Sequence, residues 1–438
     1  MSTLYKDVPC FIASEHHFQK YCQVEYSKDD KVILRDLGKK YADIASLPTH
    51  EKTKTEWDKM NSLKSGRTMV WINEVCWNEV NINGELDLKT STIFAQRIEQ
   101  ELRRRIYEWE HIPCDIVIDP KLYSPKIISN TGIGIDAEGD IVETDSDNVI
   151  VSRHFNTQIK DEDDIEKIKD PIIKYHKKET QDFYEAYKDI FAGIIDTDIK
   201  GCPGFLFAPW DDIVTYTGVQ DALMDLIMRP KYIHKLIGRL VDAYLNALNQ
   251  YESLGLLSSN NSSDRVGSGA YGHCGDLKSI EGDKTILCKD MWGSTTPQIF
   301  SDVSPAMHKE FALEYEKKWL ERFGLSYYGC CEPLHNKIDI LSEIPNLRKI
   351  SISPWADRKT AAEKIKGKYV ASIKPNPAIL AAESWDLDAA REDVVTSLKY
   401  FKGCDKEIVL KDISTIKKQP HRLWEWAKMA KEEVEKYS

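Results

Sequence analysis

Short apolar runs and longer amphipathic segments alternate through the second half of the chain. A short apolar run predicts a buried strand, whereas apolar residues spaced by three and four predict a helix. Strands are predicted at residues 325–331, 349–353, 369–373 and 407–410. Successive strand–helix units of this kind predict parallel strands with helices packed outside them.

Two architectures fit this alternation: an open doubly wound sheet and a closed barrel. No glycine-rich phosphate-binding fingerprint follows any predicted strand, which weakens the case for a nucleotide-binding open sheet. The predicted strands instead end in residues suited to chemistry, and such ends form one face of a barrel. We therefore predict an α/β fold of the (β/α)8 TIM-barrel class.

The first half of the chain predicts an extension followed by the start of the barrel. Residues 1–65 are polar and predict an N-terminal helical extension, and the barrel is predicted to span 66–438. Further strands are predicted at 67–73, 115–119, 205–210 and 256–261. An excursion with edge strands near Ile127 and Val149 is predicted at about 120–170, and a long loop at 262–303. Loops of that length inside a domain are usually functional or disordered.

The composition of the chain limits which binding partners and which cellular compartment we expect for the protein. Of the 438 residues, 42% are hydrophobic, and the formal net charge is −11. An acidic balance argues against a general nucleic-acid binder, which needs a basic face. We found neither an export-type apolar run at the start nor a stretch of the ~20 apolar residues that cross a membrane. The ten cysteines have no regular spacing, so we expect a cytoplasmic protein with reduced thiols and no membrane partner.

Residues suited to catalysis follow several predicted strands. Glu74 follows the first strand, and Lys411 and Asp412 follow the last; we predict that these three are acid–base or catalytic residues. Two adjacent cysteines, Cys330 and Cys331, close another strand. Neighbouring side chains on a strand point to opposite faces, so we expect only one thiol in the pocket and favour Cys331.

A metal site is one interpretation of these thiols. Cys331, Glu332 and His273, the last from the long loop, are the predicted ligands, because thiolate, carboxylate and imidazole groups all suit zinc. The chain lacks both a Cys-x-x-Cys and a helical His-x-x-x-His pattern. A purely structural cysteine pair therefore remains the alternative.

Aromatic and amide side chains near the predicted strand ends favour a flat, hydrophobic or cationic substrate, held by stacking or cation–π contact. For any single tryptophan, ordinary packing is the alternative. A lysine buried at the pocket mouth needs an anion such as a substrate carboxylate. The predicted substrate-binding residues are Trp77, Asn260, Trp292, Gln298, Trp355, Lys374 and Asn376.

Several motifs over residues 200–438 together resemble the uroporphyrinogen decarboxylase superfamily, which includes corrinoid-dependent methyltransferases. The markers are a Gly-x-x-Asp-Ala-Leu-x-Asp segment before Arg-Pro (218–230), Asp-Met-Trp-Gly (290–293), the helix from Ser304–Pro305, Gly-Cys-Cys-Glu (329–332) and the run 372–380. The resemblance implies a (β/α)8 barrel. The methyltransferase branch carries a zinc-binding His-x-Cys pattern where this chain has Gly329, Cys330 and Cys331, so only Cys331 carries over.

The resemblance implies a methyltransferase that moves a methyl group from an O-, N- or S-methylated small molecule to a corrinoid protein. Zinc or a protonated acid would activate the leaving group. Zinc, a corrinoid carried by the partner protein, and a homodimer are implied with it. The alternatives are a decarboxylase or lyase of the same superfamily acting on a carboxylated substrate, and a non-catalytic barrel that binds a tetrapyrrole or corrinoid. The arginine-rich N-terminal motif of the decarboxylase branch is missing here.

Overall fold

A computed structural model describes residues 11–13, 21–136, 139–142, 152–277 and 285–437. Its strands are β1 (Phe11–Ala13), β2 (Met69–Ile72), β3 (Lys121–Pro125), β4 (Ile127–Asn130), β5 (Gly139–Val142), β6 (Ser152–Phe155), β7 (Ile173–Tyr175), β8 (Asp196–Lys200), β9 (Trp292–Thr295), β10 (Leu325–Tyr328), β11 (Leu347–Ile352), β12 (Val370–Ile373) and β13 (Lys406–Leu410).

The helices alternate with these strands in the second half of the chain. They are α1 (Lys28–Ala45), α2 (Thr49–Asn61), α3 (Trp77–Val80), α4 (Ile93–His111), α5 (Lys177–Phe191), α6 (Pro209–Thr217), α7 (Val219–Met228), α8 (Pro230–Ser253), α9 (Pro305–His308), α10 (Glu314–Leu320), α11 (Ile338–Leu341), α12 (Arg358–Ile365), α13 (Ala378–Ala381), α14 (Leu387–Tyr400) and α15 (His421–Lys436). A π-helical turn, Lys309–Leu313, joins α9 to α10. No helix in the described ranges is both long enough and apolar enough to cross a membrane.

A six-stranded parallel sheet is the centre of the fold. Its order is β2–β13–β12–β11–β10–β9, and every neighbouring pair is parallel. The strands are buried on both faces, as expected for a parallel sheet covered by helices; Ile350, Val409 and Leu410, for example, are fully buried. The predicted α/β class and the predicted strand–helix units of the second half are therefore confirmed.

Contacts beyond both edges of this sheet involve segments that we predicted as strands. The backbone N–H of Asp115 donates to Val70 O in β2 at 2.9 Å. At the other edge, the side-chain amide of Asn260 pairs with the backbone of Trp292, accepting from N at 2.8 Å and donating to O at 3.0 Å. Neither 115–119 nor 256–261 is a regular strand in the structure. Closure of the sheet into a barrel remains a prediction.

The predicted strand at 205–210 is wrong. Residues 203–208 belong to no strand, and α6 begins at Pro209. Proline at the first helical position loses no hydrogen bond, since that N–H has no partner within the helix. Trp210 is buried in the first turn of α6, where its Nε1–H donates to Phe311 O at 2.9 Å. The apolar run is therefore core without being sheet, a case in which burial alone does not distinguish strand from helix.

The smaller sheets come from the first half of the chain. β4 lies between β1 and β7, β3 pairs with β8 in parallel, and β5 pairs with β6 as an antiparallel ribbon. β4 agrees with the predicted edge strand near Ile127, whereas the one near Val149 lies outside the described residues. Both α1 and α2 fall within the predicted helical extension, but Leu34, Trp57 and Met60 are fully buried, so these helices contribute to the core.

Part of the predicted long loop packs against the sheet. We call residues 266–274 the inner segment. A Cβ added to Gly267 would lie 2.6 Å from a ring carbon of Tyr327, and one added to Gly269 would lie 2.7 Å from Glu407 Oε1. The inner segment starts near the carboxyl ends of the strands, where Ser268 Oγ donates to Gly329 O at 3.0 Å. The close approach requires glycine, and it explains why this loop carries several.

Candidate functional site

The carboxyl ends of β10 and β13 bring two thiols, an ammonium group and a carboxylate together. Cys330 Sγ lies 3.4 Å from Cys331 Sγ. Lys411 Nζ donates to Cys330 Sγ at 2.9 Å and lies 3.7 Å from Cys331 Sγ. The Cys331 thiol donates to Asp412 Oδ2 at 3.0 Å, and Lys411 Nζ lies 3.1 Å from Asp412 Oδ1. We call these four residues the thiol–lysine cluster.

The backbone at Gly329 explains how two adjacent cysteines share one site. β10 ends at Tyr328, and Gly329 has φ +95°, a conformation that side chains other than glycine rarely adopt. The alternation of a strand therefore no longer applies at Cys330 and Cys331, and our expectation that only one thiol would reach the site is wrong. A Cβ at Gly329 would lie 2.4 Å from Cδ1 of the buried Leu334, so any larger residue here would have to displace that side chain.

The electrostatic surroundings favour a thiolate at Cys330 and a protonated thiol at Cys331. The contact with the Cys331 thiol lowers the pKa of Cys330, and Lys411 lowers it further against the opposing effect of burial. The contact with Cys330, together with burial, raises the pKa of Cys331. Burial alone would lower the pKa of Lys411, but Cys330 and Asp412 raise it above its ordinary value. The cluster thus holds one thiolate beside a protonated lysine and a protonated thiol.

Glu74 meets this cluster from the end of β2. Its Oε2 accepts a hydrogen bond of 2.8 Å from the backbone N–H of Asp412. Asp412 has φ +57°, a strained conformation for a residue with a side chain, and such strain concentrates at functional sites. The structure therefore brings the three predicted acid–base residues, Glu74, Lys411 and Asp412, to one place. Their chemical roles remain a prediction.

Glu332 follows the two cysteines in the chain and is fully buried. Its carboxylate accepts from the backbone N–H of Cys330 at 3.0 Å and from Thr296 Oγ1 at 3.0 and 3.1 Å. Burial, and then the charge on Cys330, raises the pKa of Glu332 to about 7. Glu332 therefore fixes the turn that presents the thiols and can hold a proton near neutral pH.

The predicted metal triad is not assembled. His273 lies in the inner segment, where its Nε2 is 3.1 Å from Ser263 Oγ, and burial lowers the pKa of its ring to about 4. Within the described ranges, no three donor atoms from His273, Cys331 and Glu332 lie within 4.8 Å of one another; Glu85, Glu110 and His111 form the group that meets this distance. His273 is separated from Cys331 and Glu332 because the inner segment leads away from the carboxyl ends of the strands.

The contacts of the thiol–lysine cluster place a cation of the protein itself beside the thiolate. The ammonium of Lys411 lies directly against Cys330 Sγ, where a metal cation would have to bind. The donor set therefore matches a thiolate stabilised by lysine. Zinc binding by these residues stays a prediction.

Lys374 lies close enough to the cluster for the charges of Lys411 and Cys330 to act on it. Its side chain is 3% exposed, and its Nζ donates to Ser372 Oγ at 2.6 Å. Burial lowers the pKa of Lys374 to about 8. Ser372 in turn donates to Glu407 at 2.6 Å. Lys374 thus ends a buried polar chain that begins inside the sheet.

The other predicted substrate-binding residues are not gathered at one place. Asn260 and Trp292 are buried and hold the sheet edge, with Trp292 Nε1–H donating to Gly272 O at 2.8 Å. The burial of Trp292 agrees with packing, the alternative given for each tryptophan, and a substrate contact of either residue stays a prediction. Trp355 follows β11 and is 70% exposed.

The remaining three residues have separate surroundings. Gln298 donates to Asp211 Oδ2 at 3.0 Å, and Asn376 Oδ1 accepts from the backbone N–H of Ala378 at 3.0 Å. Trp77 lines a cavity of about 210 Å³ with Asn81, Leu86, Gln100 and Arg103 among its other residues. A substrate contact for any of the three is still a prediction.

Sequence reasoning missed two acidic residues near the site, the half-buried Asp211 and the fully buried Glu316. Burial, and then the charge of Glu332, raises the pKa of Asp211 to about 7, and burial raises that of Glu316 to about 8. Tyr328 OH donates to Glu316 Oε2 at 2.5 Å. A signal was present in the sequence, because Glu316 lies three residues before Trp319 on the apolar face of its helix. A carboxylate in such a position is buried, and burial alone raises its pKa.

No protein-family model and no curated protein matches this sequence. Among solved structures, a methyltransferase from Methanosarcina mazei is similar with a TM-score of 0.49 and 10% sequence identity. The similarity covers 88% of this chain and 98% of that chain. A similarity at this level gives no information about activity.

Proposed function

We propose that the protein is a methyltransferase that moves a methyl group from an O-, N- or S-methylated small molecule to a corrinoid protein. The observation that supports this proposal is the thiol–lysine cluster. It combines a charged nucleophile, a protonated cation and a carboxylate at the carboxyl ends of parallel strands, which is the catalytic face of barrel enzymes. Asp412, whose side chain is 46% exposed, leaves the cluster open to the surface on one side.

The (β/α)8 barrel is part of this proposal. The backbone hydrogen bond of Asp115 to β2 and the side-chain hydrogen bonds of Asn260 to β9 place further segments of the chain against both edges of the six-stranded sheet. Cys202 and Leu257 form a further parallel bridge, and β3 and β8 form a further parallel pair. These contacts support closure around the inner segment.

Acid activation is the chemistry that the cluster favours. A methyl group leaves an ether, amine or thioether more easily when the heteroatom that it leaves is protonated. Lys411 keeps its proton because the Cys330 thiolate and Asp412 lie against it. We assign the Lys411 ammonium as the hydrogen-bond donor that stabilises the charge developing on the leaving heteroatom, with Cys330 and Asp412 orienting it. A corrinoid on the partner protein would supply the cobalt that accepts the methyl group.

The test uses free cob(I)alamin as the acceptor, with methylamine, methanol and dimethyl sulfide as donors. Formation of methylcob(III)alamin is followed by absorbance. Lys411→Met should lower the rate at least ~100-fold, the scale for loss of one donor that stabilises developing charge. Lys402→Met, which changes an exposed lysine, should leave the rate unchanged. Full activity in Lys411→Met would refute the assignment of the donor, and wild-type inactivity with a broad donor panel would refute methyl transfer.

Metal analysis of the same preparations separates acid activation from zinc activation. We expect full activity after chelation and dialysis, with less than stoichiometric zinc in the protein. About one zinc per chain, lost in Cys331→Ala together with activity, would instead support the Lewis-acid form of the reaction.

A lyase or decarboxylase acting on a carboxylated substrate is the second candidate, favoured by the two buried lysines Lys374 and Lys411. Two neighbouring cations hold a carboxylate well. Release of CO2 from a carboxylated substrate, lost in Lys374→Ala, would support this candidate. Binding of a tetrapyrrole without turnover would instead support a non-catalytic role, and loss of turnover with intact binding in Lys374→Ala or Asp412→Asn would exclude that role.

A further inference from the structure

We propose that Cys330 and Cys331 form a reversible peroxide-sensitive dithiol, which a hydroperoxide converts to a disulfide between neighbouring residues. The sulfur atoms are already 3.4 Å apart, so a disulfide needs only a small movement of the turn. The chemistry depends on the contacts of the two thiols and not on methyl transfer. Its effect on turnover rests on the function proposed above.

The surroundings give the two sulfur atoms different roles. Lys411 Nζ donates to Cys330 Sγ at 2.9 Å, which favours the thiolate at Cys330. Thiolates are the nucleophiles in thiol oxidation, and a neighbouring lysine is a common cause of reactivity. Cys331 donates to Asp412 Oδ2 at 3.0 Å, so a carboxylate lies ready to take its proton. Cys330 is therefore the residue that attacks the hydroperoxide. Cys331 is the resolving cysteine, which attacks the oxidised Cys330.

The first step is attack of the Cys330 thiolate on the terminal oxygen of a hydroperoxide. An S–O bond forms and the O–O bond breaks, which leaves a sulfenic acid on Cys330. The departing alkoxide takes a proton from the Lys411 ammonium and leaves as an alcohol, and water then reprotonates Lys411. The sulfur is oxidised by two electrons and the hydroperoxide is reduced by two.

The second step forms the disulfide between Cys330 and Cys331. Asp412 takes the proton of Cys331, and the resulting thiolate attacks the sulfur of Cys330. An S–S bond forms, the S–O bond breaks, and hydroxide leaves with that proton as water. The sum is two thiols and one hydroperoxide giving one disulfide, one alcohol and one water.

Reversibility follows from covalent geometry. Neighbouring Cα atoms are held about 3.8 Å apart across a trans peptide, which is below the usual separation in a disulfide. A disulfide outside that range is strained and more easily reduced. The oxidised form would also remove the thiolate that contacts Lys411, so we expect it to be inactive and to recover on reduction.

The test treats the full-length reduced protein with one equivalent of hydrogen peroxide, followed by alkylation and peptide mass mapping. The peptide that contains Cys330 and Cys331 should lose the mass of two hydrogen atoms and become resistant to alkylation. Dithiothreitol should restore both thiols. Cys404→Ser, which removes a remote buried thiol, should behave like the wild type.

Single variants test the two roles without reference to activity. Cys331→Ser should stop at a sulfenic acid on Cys330 that dimedone traps, and Cys330→Ser should remain unoxidised at the same dose. Lys411→Met should slow the reaction about tenfold by raising the thiol pKa, and Lys411→Arg, which keeps the charge, should restore it. Both thiols remaining alkylatable in the wild type, or a disulfide from Cys330 to another cysteine in Cys331→Ser, would overturn the proposal.

Discussion

Replacing Lys411 by methionine should raise the pKa of Cys330 markedly. The substitution removes a positive charge 2.9 Å from Cys330 Sγ and keeps a side chain of similar length. Lys411 is 5% exposed, so water cannot take over the role of the ammonium. The contact with Cys331, which is the largest cause of the lowered pKa of Cys330, remains in the variant and limits the change.

The size of the effect follows from Coulomb's law. Two unit charges at the observed separation attract by roughly 6 kcal/mol at an effective dielectric constant of about 20. At about 1.4 kcal/mol per pKa unit, this corresponds to an upper limit of about 4 units. Part of it is cancelled by solvent screening from the side of Asp412, whose side chain is half-exposed. We therefore expect a rise of about 2 units, with ~1 unit as the least value consistent with direct contact.

The assay is the pH dependence of the alkylation rate of Cys330 by iodoacetamide, with the modified residue located by peptide mapping. Lys411→Arg should keep the midpoint within about half a unit of the wild type, because the charge is retained. Cys331→Ala should raise the midpoint independently, since it removes the thiol contact. An unchanged midpoint in a Lys411→Met protein with a wild-type melting curve would refute the thiolate–ammonium pair.

Three further predictions concern stability. Glu407→Gln breaks a fully buried ion pair and should cost about 3–5 kcal/mol in urea unfolding, whereas Asp182→Asn, in an exposed pair, should leave the midpoint unchanged. Gly329→Ala should cost about 3 kcal/mol, because its Cβ would press on the buried Leu334 at a positive φ. Gly132→Ala, at a positive φ with open space around it, should cost about 1 kcal/mol; equal melting shifts would contradict this. Since the pKa of Glu316 is raised to about 8, the folded state binds the extra proton, and stability should fall as pH rises from the unfolded value of about 4.3 toward 8. Glu316→Gln should flatten that dependence, and a slope unchanged by the variant would contradict it.

The second half of the fold was predictable because its strands are buried on both faces. Such strands are continuous apolar runs, and β11, β12 and β13 lie within a residue or two of their predicted positions. The boundary error at β10 has a local cause, since Gly329 leaves the extended conformation before the cysteines. In the first half, β8 is largely polar and solvent-facing, so its sequence carries no strand pattern.

The candidate site was predictable only in part. That Glu74, Cys331 and Asp412 lie close together follows from parallel strands whose carboxyl ends share one face. The path of the inner segment was not predictable, because glycine-rich loops have no hydrophobic period. That path is what separates His273 from the thiols. The contact between Lys411 and Cys330 depends on the turn at Gly329, and a backbone conformation of that kind leaves no trace in residue spacing.

Gly329 determines which groups lie beside the Cys330 sulfur. The glycine adopts φ +95°, and the turn directs both cysteines toward Lys411. The ammonium then provides one positive charge at 2.9 Å from the sulfur. A side chain at position 329 would press on the buried Leu334 and would strain the turn. We infer that the turn at Gly329 and the thiolate–ammonium contact depend on each other, so that a substitution at Gly329 should both destabilise the fold and raise the pKa of Cys330.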